Sequence, residues 1–179
     1  MLRLITLYGI FAGLIVAIPM VWMMMTLTKD AAPGNGAFYG YLTMIVALTT
    51  VFIGIKHYRD KVLGGVIKFG PALLVGLGIS AVASVVYVIG WEISLVFSDY
   101  DFADSYSKAM VEAARAKGLS PEEIQKASAD AESFVTMYRN PLFRMPITFI
   151  EMFPVGVLIS LISAAVLRNS RILPARAAT

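Results

Sequence analysis

The sequence predicts an all-α integral membrane protein, a four-helix bundle with an extracytoplasmic helical hairpin between spans three and four. Three observations lead there. Hydrophobic residues make up 58% of the chain and charged residues only 15%, whereas about a quarter of a soluble domain is charged. Four apolar runs are long enough to cross ~30 Å of hydrocarbon. One polar insert, residues 98–140, carries most of the acids. A length of 179 residues favours a single membrane domain, 1–179.

The four spans are predicted at about 4–27, 37–55, 71–97 and 142–167. The first run is too long for the apolar region of a signal peptide, and Pro19 occupies a place where a cleavage site needs small residues. We therefore expect a retained span. The stretch between spans one and two, KDAAPGNG, is rich in the residues that form turns.

The polar insert predicts two helices. The first begins near Asp99 or Asp101 and stops at Gly118, a residue type favoured just after a helix end. The second opens with SPEE at 120–123, which supplies a serine N-cap, a proline at the first position and a glutamate three residues after the cap. It is expected to break at Asn140-Pro141. Together they predict the hairpin.

Basic residues predict the orientation. On one side of the predicted spans, eight of them are opposed only by Asp60: Arg3, Lys56, Arg59, Lys61, Lys68, Arg168, Arg171 and Arg176. By the positive-inside rule, both termini and the loop 56–70 are cytoplasmic in a multi-pass protein of the cell (inner) membrane. The cations of this loop are interpreted as topology determinants or headgroup contacts. Topology also accounts for the net charge of +3, so no nucleic-acid partner is expected.

The composition restricts the chemistry. The chain has no cysteine and one histidine, His57, which we interpret as an interfacial side chain. Disulfides, thiolate metal sites and multi-histidine sites are excluded. The loop residues Gly64, Gly65 and Lys68 lack the spacing of a phosphate-binding loop. We expect no enzyme activity, no cofactor and no metal.

Two carboxylates in the apolar runs define a candidate intramembrane polar site. Glu151 is the only charged residue between Arg144 and Arg168, and an ionisable side chain inside a bilayer is a functional candidate by default. The other carboxylate, Glu92, lies in the third span. The residues Arg144, Thr148 and Glu151 are spaced i, i+4, i+7 and therefore share one helix face. The candidate site consists of Glu92, Arg144, Thr148 and Glu151.

Three interpretations of this site stay open. In the first, Arg144 forms an internal salt bridge with Glu92 or Glu151. In the second, the two acids bind a cation or relay protons. In the third, the carboxylates are simply exposed at the interface, as suits Glu92 better. If the acids approach closely, repulsion and desolvation would keep one of them protonated near neutral pH.

The chain also resembles a bacterial family of small inner-membrane proteins, the domain-of-unknown-function family 4199. The resemblance rests on GIKHYRDKVLGGVIKFGPALLVGL at 54–77, YVIGWEI at 87–93, GLSPEEIQK at 118–126 and YRNPLFRMPITFIEMFPVGVLISLISAAVLR at 138–168. Its most specific parts are YRD at 58–60, NP at 140–141 and EMFPVG at 151–156. The resemblance implies the same four-span plan with an extracytoplasmic helical insert. It implies no reaction, substrate or cofactor.

Two functions follow as hypotheses. The leading one is a non-enzymatic assembly or accessory subunit, whose hairpin and small-residue faces (Gly9 and Gly13, for example) contact a second copy or a membrane-complex partner. The alternative is a small oligomeric ion or proton transporter or channel component that uses Glu92 and Glu151. Four spans without an internal repeat would have to oligomerise for that role. The lipid bilayer is a partner in both.

Overall fold

The computed structural model describes residues 1–26, 36–97 and 101–175. These residues form six α-helices and no strand: α1 Leu2–Thr26, α2 Gly36–His57, α3 Phe69–Phe97, α4 Phe102–Ala116, α5 Pro121–Tyr138 and α6 Pro141–Leu167. Four of the helices, α1, α2, α3 and α6, are long and apolar enough to cross a membrane. The predicted all-α membrane bundle is confirmed, and the chain is a multi-pass membrane protein.

The helix ends differ a little from the predicted ones. A π-helical turn, Tyr58–Val62, extends α2 into the basic loop. A proline inside a helix usually kinks or breaks it, but α6 continues without a break through Pro146 and Pro154. The predicted turn at 29–36 lies outside the described residues except for Gly36, where α2 begins, and so do the predicted span end at Leu27 and helix start at Asp99.

The four long helices surround one apolar core. Helix α1 packs against α2 and α3, α6 packs against the same two, and α2 also touches α3. The largest fully buried apolar side chains come from α1, α2, α3 and α6: Val16, Leu48, Val51, Ile55, Val75, Ile79, Met152 and Leu167. Many large apolar side chains cover the outside instead, as hydrocarbon surroundings require.

Glycines bring α1 close to α3. A Cβ atom at Gly9 or Gly13 would lie 2.5 Å from Cβ of Val82 and 2.4 Å from Cβ of Val86, respectively. Any larger residue would force the two helices apart. The Gly9 and Gly13 pair, a candidate contact with another helix, therefore packs against α3 of the same chain.

The α3–α6 contact is built in the same way. A Cβ at Gly76 would lie 2.8 Å from Cβ of Ser160, and one at Gly156 would lie 2.6 Å from Cβ of Ser80. The two serine hydroxyls are 3.2 Å apart and hydrogen-bonded. Small residues on both helices thus pack within the bundle.

Helices α4 and α5 form an antiparallel pair beyond one end of the bundle, here called the hairpin end. Ring centroids are 5.5 Å apart between Phe102 and Tyr138, and 5.0 Å apart between Tyr106 and Phe134. The turn between the helices contains Gly118 with φ +68°, a conformation that favours glycine. The pair rests on the ends of α1 and α3 through an apolar cluster whose buried members are Met24, Trp91, Ala103 and Tyr138.

Local signals explain the starts of both helices. The side chain of Asp101 accepts a hydrogen bond from the backbone N–H of Asp104. At α5, Ser120 and Glu123 form a capping box in which each side chain accepts from the other residue's backbone N–H. The Ser120 backbone N–H and hydroxyl both donate to the Glu123 carboxylate, and they hold the pKa of that carboxyl below its ordinary value of 4.5.

Candidate functional site

The structure pairs Arg144 with Glu92. Asn140 caps α6 and accepts a hydrogen bond from the backbone N–H of Leu142, which places Arg144 in the helix's first turns. Its guanidinium donates from Nε to Oε1 of Glu92 at 2.7 Å and from Nη2 to Oε2 at 2.5 Å. The side chains are only 13% and 21% exposed, respectively. Two parallel charge-assisted bonds make this a strong, directional contact between α6 and α3.

Tyr138 joins this ion pair to the hairpin end. Its carbonyl accepts from Nη1 of Arg144 at 3.1 Å, and its ring centroid lies 5.8 Å from the guanidinium carbon. The Tyr138 hydroxyl accepts a hydrogen bond from Nε1 of Trp91 at 2.8 Å. Burial raises the pKa of Tyr138 to about 12, so the hydroxyl stays neutral at physiological pH. Helices α3, α5 and α6 therefore meet in one polar network.

Thr148 faces the protein without joining the ion pair through its side chain. Its hydroxyl donates to the backbone carbonyl of Arg144 at 3.1 Å, and the residue is buried. This bond satisfies the hydroxyl within α6. We assign Thr148 a packing role.

Glu151 does not take part in the ion pair. The Tyr87 hydroxyl donates to its Oε2 at 3.4 Å, which is long for such a bond. Glu151 is exposed on the outside of the bundle. Asp60 and Glu92, the other two carboxylates of the candidate spans, each form a salt bridge, whereas Glu151 forms none with any described residue. The predicted four-residue site is thus divided into a paired part and an unpaired carboxylate.

Sequence reasoning missed a buried arginine, Arg59, at the opposite end of α6. Its side chain is 0% exposed and donates from Nε to Asp60 at 2.6 Å. The remaining donors contact backbone carbonyls: Nη1 reaches Leu167 at 3.4 Å and Ile172 at 3.0 Å, and Nη2 bonds that of Leu173. Arg59 therefore satisfies the last carbonyl of α6 and two carbonyls of the segment that follows the helix. Because Arg59 is buried, the prediction that the loop's cations are headgroup contacts is wrong for this residue, and its role as a topology determinant stays a prediction.

His57 lies at the same end of the bundle. Its Nδ1 is 2.9 Å from the Tyr8 hydroxyl, and the two rings meet edge to face, so the contact joins α1 to α2. Among the described residues, no three His, Cys, Asp or Glu side chains come together as a metal site would require. The structure therefore points to a helix contact for His57.

An open groove of about 510 Å³ runs between α3 and α6 near the hairpin end. Its walls are almost entirely apolar, and Glu92 forms one margin. The side chains that shape it are Val85, Val88 and Ile89 of α3 and Met145 and Phe149 of α6. No residue pattern in the sequence marks this groove, because it arises from the separation of two helices.

A family model described as a protein of unknown function, DUF4199, matches residues 7–169. No curated protein and no solved structure matches the chain.

Proposed function

Since the chain belongs to the DUF4199 family of proteins of unknown function, we propose its role from its own geometry: a non-enzymatic accessory subunit of a membrane assembly. The observation that carries the proposal is the exposed carboxylate of Glu151 within a candidate span. A charged side chain that faces hydrocarbon costs about 2.5 kcal/mol or more. A neighbouring protein helix that donates hydrogen bonds or a positive charge to Glu151 would remove that cost.

The contrast with Glu92 supports this proposal. Both carboxylates lie in candidate spans, but Arg144 already engages both oxygens of Glu92. Among the described residues, Glu151 has only the long hydrogen bond from the Tyr87 hydroxyl. Its position on the outside of α6 is where a second helix would lie, whether from another copy or from a different membrane protein.

The small-residue faces do not support the assembly proposal, because the small residues on them pack inside the bundle. The proposed contact surface is instead the flank of α6 that carries Glu151 and, seven residues later, the exposed Leu158. We call this surface the Glu151 flank.

A photo-crosslinking residue at Leu158 tests the proposal in native-like lipid. We expect a discrete product of higher mass from this position and a weaker one when Glu151→Gln is added. The matched control is a crosslinker at Phe11, which is equally exposed but lies on α1. A monomeric mass in lipid, with no product from Leu158, would contradict the proposal.

A small oligomeric ion or proton transporter or channel component remains the second candidate. It is favoured by the contact between Glu151 and the Tyr87 hydroxyl, because a carboxylate beside a hydroxyl is a pair through which a proton can pass. The pairing of Glu92 with Arg144 removes one of the two acids on which this candidate relied. Proton or cation flux in proteoliposomes that disappears in Glu151→Gln would favour it over assembly.

We also propose that both termini are cytoplasmic in the cell inner membrane and that the α4–α5 hairpin is extracytoplasmic. The support is the basic character of the end opposite the hairpin, where α1 and α3 begin and α2 and α6 end. Because the chain has no native cysteine, single-cysteine variants test this cleanly. A membrane-impermeant thiol reagent on intact cells should label Lys117→Cys of the hairpin and leave Lys61→Cys unlabelled; the reverse pattern would invert the topology.

A further inference from the structure

We propose that the groove between α3 and α6 is a binding site for a phospholipid whose headgroup carries a primary ammonium group. One acyl chain occupies the groove, and the headgroup contacts the Glu92–Arg144 ion pair. This inference goes beyond the proposed assembly role and concerns a different part of α6 from the Glu151 flank.

The groove's walls suit an acyl chain. They are almost entirely apolar, and the groove lies between two candidate spans, so hydrocarbon surrounds it. Its volume of about 510 Å³ is within the usual range for small-molecule sites. Val85 and Ile89 on its α3 side are exposed, which leaves the groove open to lipid from the side.

Glu92 lies at the groove's margin, and its ion pair with Arg144 is only partly saturated. Each carboxylate oxygen of Glu92 accepts one bond from Arg144 and has a further lone pair. Of the five N–H donors of Arg144, two are engaged by Glu92 and one by the carbonyl of Tyr138. An incoming ammonium can therefore donate to Glu92 while an incoming phosphate accepts from Arg144.

The position along the helix fits a headgroup contact. Glu92 precedes the end of α3 at Phe97 by about 7 Å of helix rise, so its carboxylate lies toward the boundary of the hydrocarbon layer. An acyl chain extending from that level would follow α3 toward Val85, deeper in the span. Headgroup and chain thus match the two ends of one site.

Charge and donor chemistry single out an ammonium headgroup. Glu92 and Arg144 together carry no net charge but present both signs side by side, as does a zwitterionic headgroup. A choline group has no N–H to donate to Glu92, and a glycerol headgroup leaves the phosphate without a cation to face the carboxylate. An ethanolamine headgroup provides both the donor and the phosphate.

Native mass spectrometry of the delipidated full-length protein tests the proposal. It is titrated separately with phosphatidylethanolamine, phosphatidylcholine and phosphatidylglycerol of identical acyl chains. We expect a single phosphatidylethanolamine to be retained about tenfold more tightly than either other lipid, the difference that one charge-assisted hydrogen bond makes. Equal retention of the three, or preference for phosphatidylglycerol, would overturn the proposal.

Two variants locate the site. Ile89→Trp fills the groove, and Ile53→Trp on α2 is the matched control, because the two isoleucines are 54% and 51% exposed. We expect the first to lose bound phosphatidylethanolamine about tenfold and the second to keep it. Equal retention by both variants would place the lipid elsewhere and overturn the proposal.

Crosslinking separates lipid from a protein occupant. A photo-crosslinking residue at Val85, in the groove, is activated in membranes that contain phosphatidylethanolamine. A mass increase equal to one phospholipid is the expected result. A product with another protein chain would assign the groove to a partner helix and overturn the proposal.

Discussion

An arginine lies at each end of α6, partly exposed at one end and fully buried at the other, and the two arginines contact different sets of acceptors. At the hairpin end, Arg144 meets the carboxylate of Glu92, with a single backbone carbonyl added. At the opposite end, Arg59 donates one hydrogen bond to Asp60. Its other hydrogen bonds go to backbone carbonyls at and beyond the end of α6.

The difference in acceptors indicates a different structural role for each arginine. Arg144 joins two helices through a pair of opposite charges, so both partners can be altered by mutation. Arg59 secures the segment after α6 through atoms that no side-chain substitution removes. It is also fully buried, whereas Arg144 is 13% exposed. We therefore expect the two sites to respond to mutation by different amounts.

The largest effect is expected for Arg59→Ala. The change leaves Asp60 without its buried partner and several carbonyls without donors, which should lower the free energy of unfolding by about 3–5 kcal/mol. Unfolding in mixed detergent micelles measures it. Lys61→Ala, an exposed cation of the same turn, is the control, and a similar small loss in both variants would contradict the structural role.

A smaller loss is expected for Glu92→Gln. The ion pair is partly exposed, so leaving Arg144 with a neutral partner should cost about 2 kcal/mol. The double variant Glu92→Gln/Arg144→Met removes the unpaired charge and should recover part of this loss. A double-mutant cycle completed with Arg144→Met measures the coupling, and additive effects of the two substitutions would show that the pair contributes no coupling energy.

The capping box of α5 should respond to pH. Because the pKa of Glu123 is lowered in the folded protein, its contribution is complete above pH 4.5 and is lost as the pH falls through the lowered value. Glu123→Ala, which removes the carboxylate that accepts from the Ser120 backbone N–H, should reduce stability slightly at neutral pH. The difference from wild type, followed by helical circular dichroism, should narrow as the pH is lowered from 4.5, and a constant difference would contradict the capping assignment.

The smallest effect on the isolated protein is expected for Glu151→Gln. Since no described cation pairs with Glu151, the substitution breaks no salt bridge and removes a charge that faces hydrocarbon, so any loss in the free energy of unfolding should be less than about 0.5 kcal/mol. Measured in the same micelles, it gives a direct contrast with Glu92→Gln. A loss as large as that of Glu92→Gln would mean that Glu151 has a structural partner.

The residues of the candidate site could be predicted from the sequence. Their division into an ion pair and a separate carboxylate could not. Glu92, Arg144 and Glu151 are predicted because they are charged residues in or beside apolar runs. Helical spacing places Arg144 and Glu151 on one face. Spacing along α6 could not decide which carboxylate Arg144 meets, because that depends on how α3 is rotated and shifted beside it. In the structure, Arg144 forms a salt bridge with Glu92, and the Tyr87 hydroxyl donates a hydrogen bond to Glu151.

The sequence by itself determined the four apolar spans, their order and the capped start of α5. These features depend on the length of an apolar run or on residues within one helical turn of each other, so the local sequence is enough to predict them. Only the tertiary structure decided that Gly9 and Gly13 receive α3, and that Arg59 reaches the carbonyl of Leu167, 108 positions along the chain. Such contacts join backbone and side chains across the bundle, where the relative placement of packed helices sets every distance.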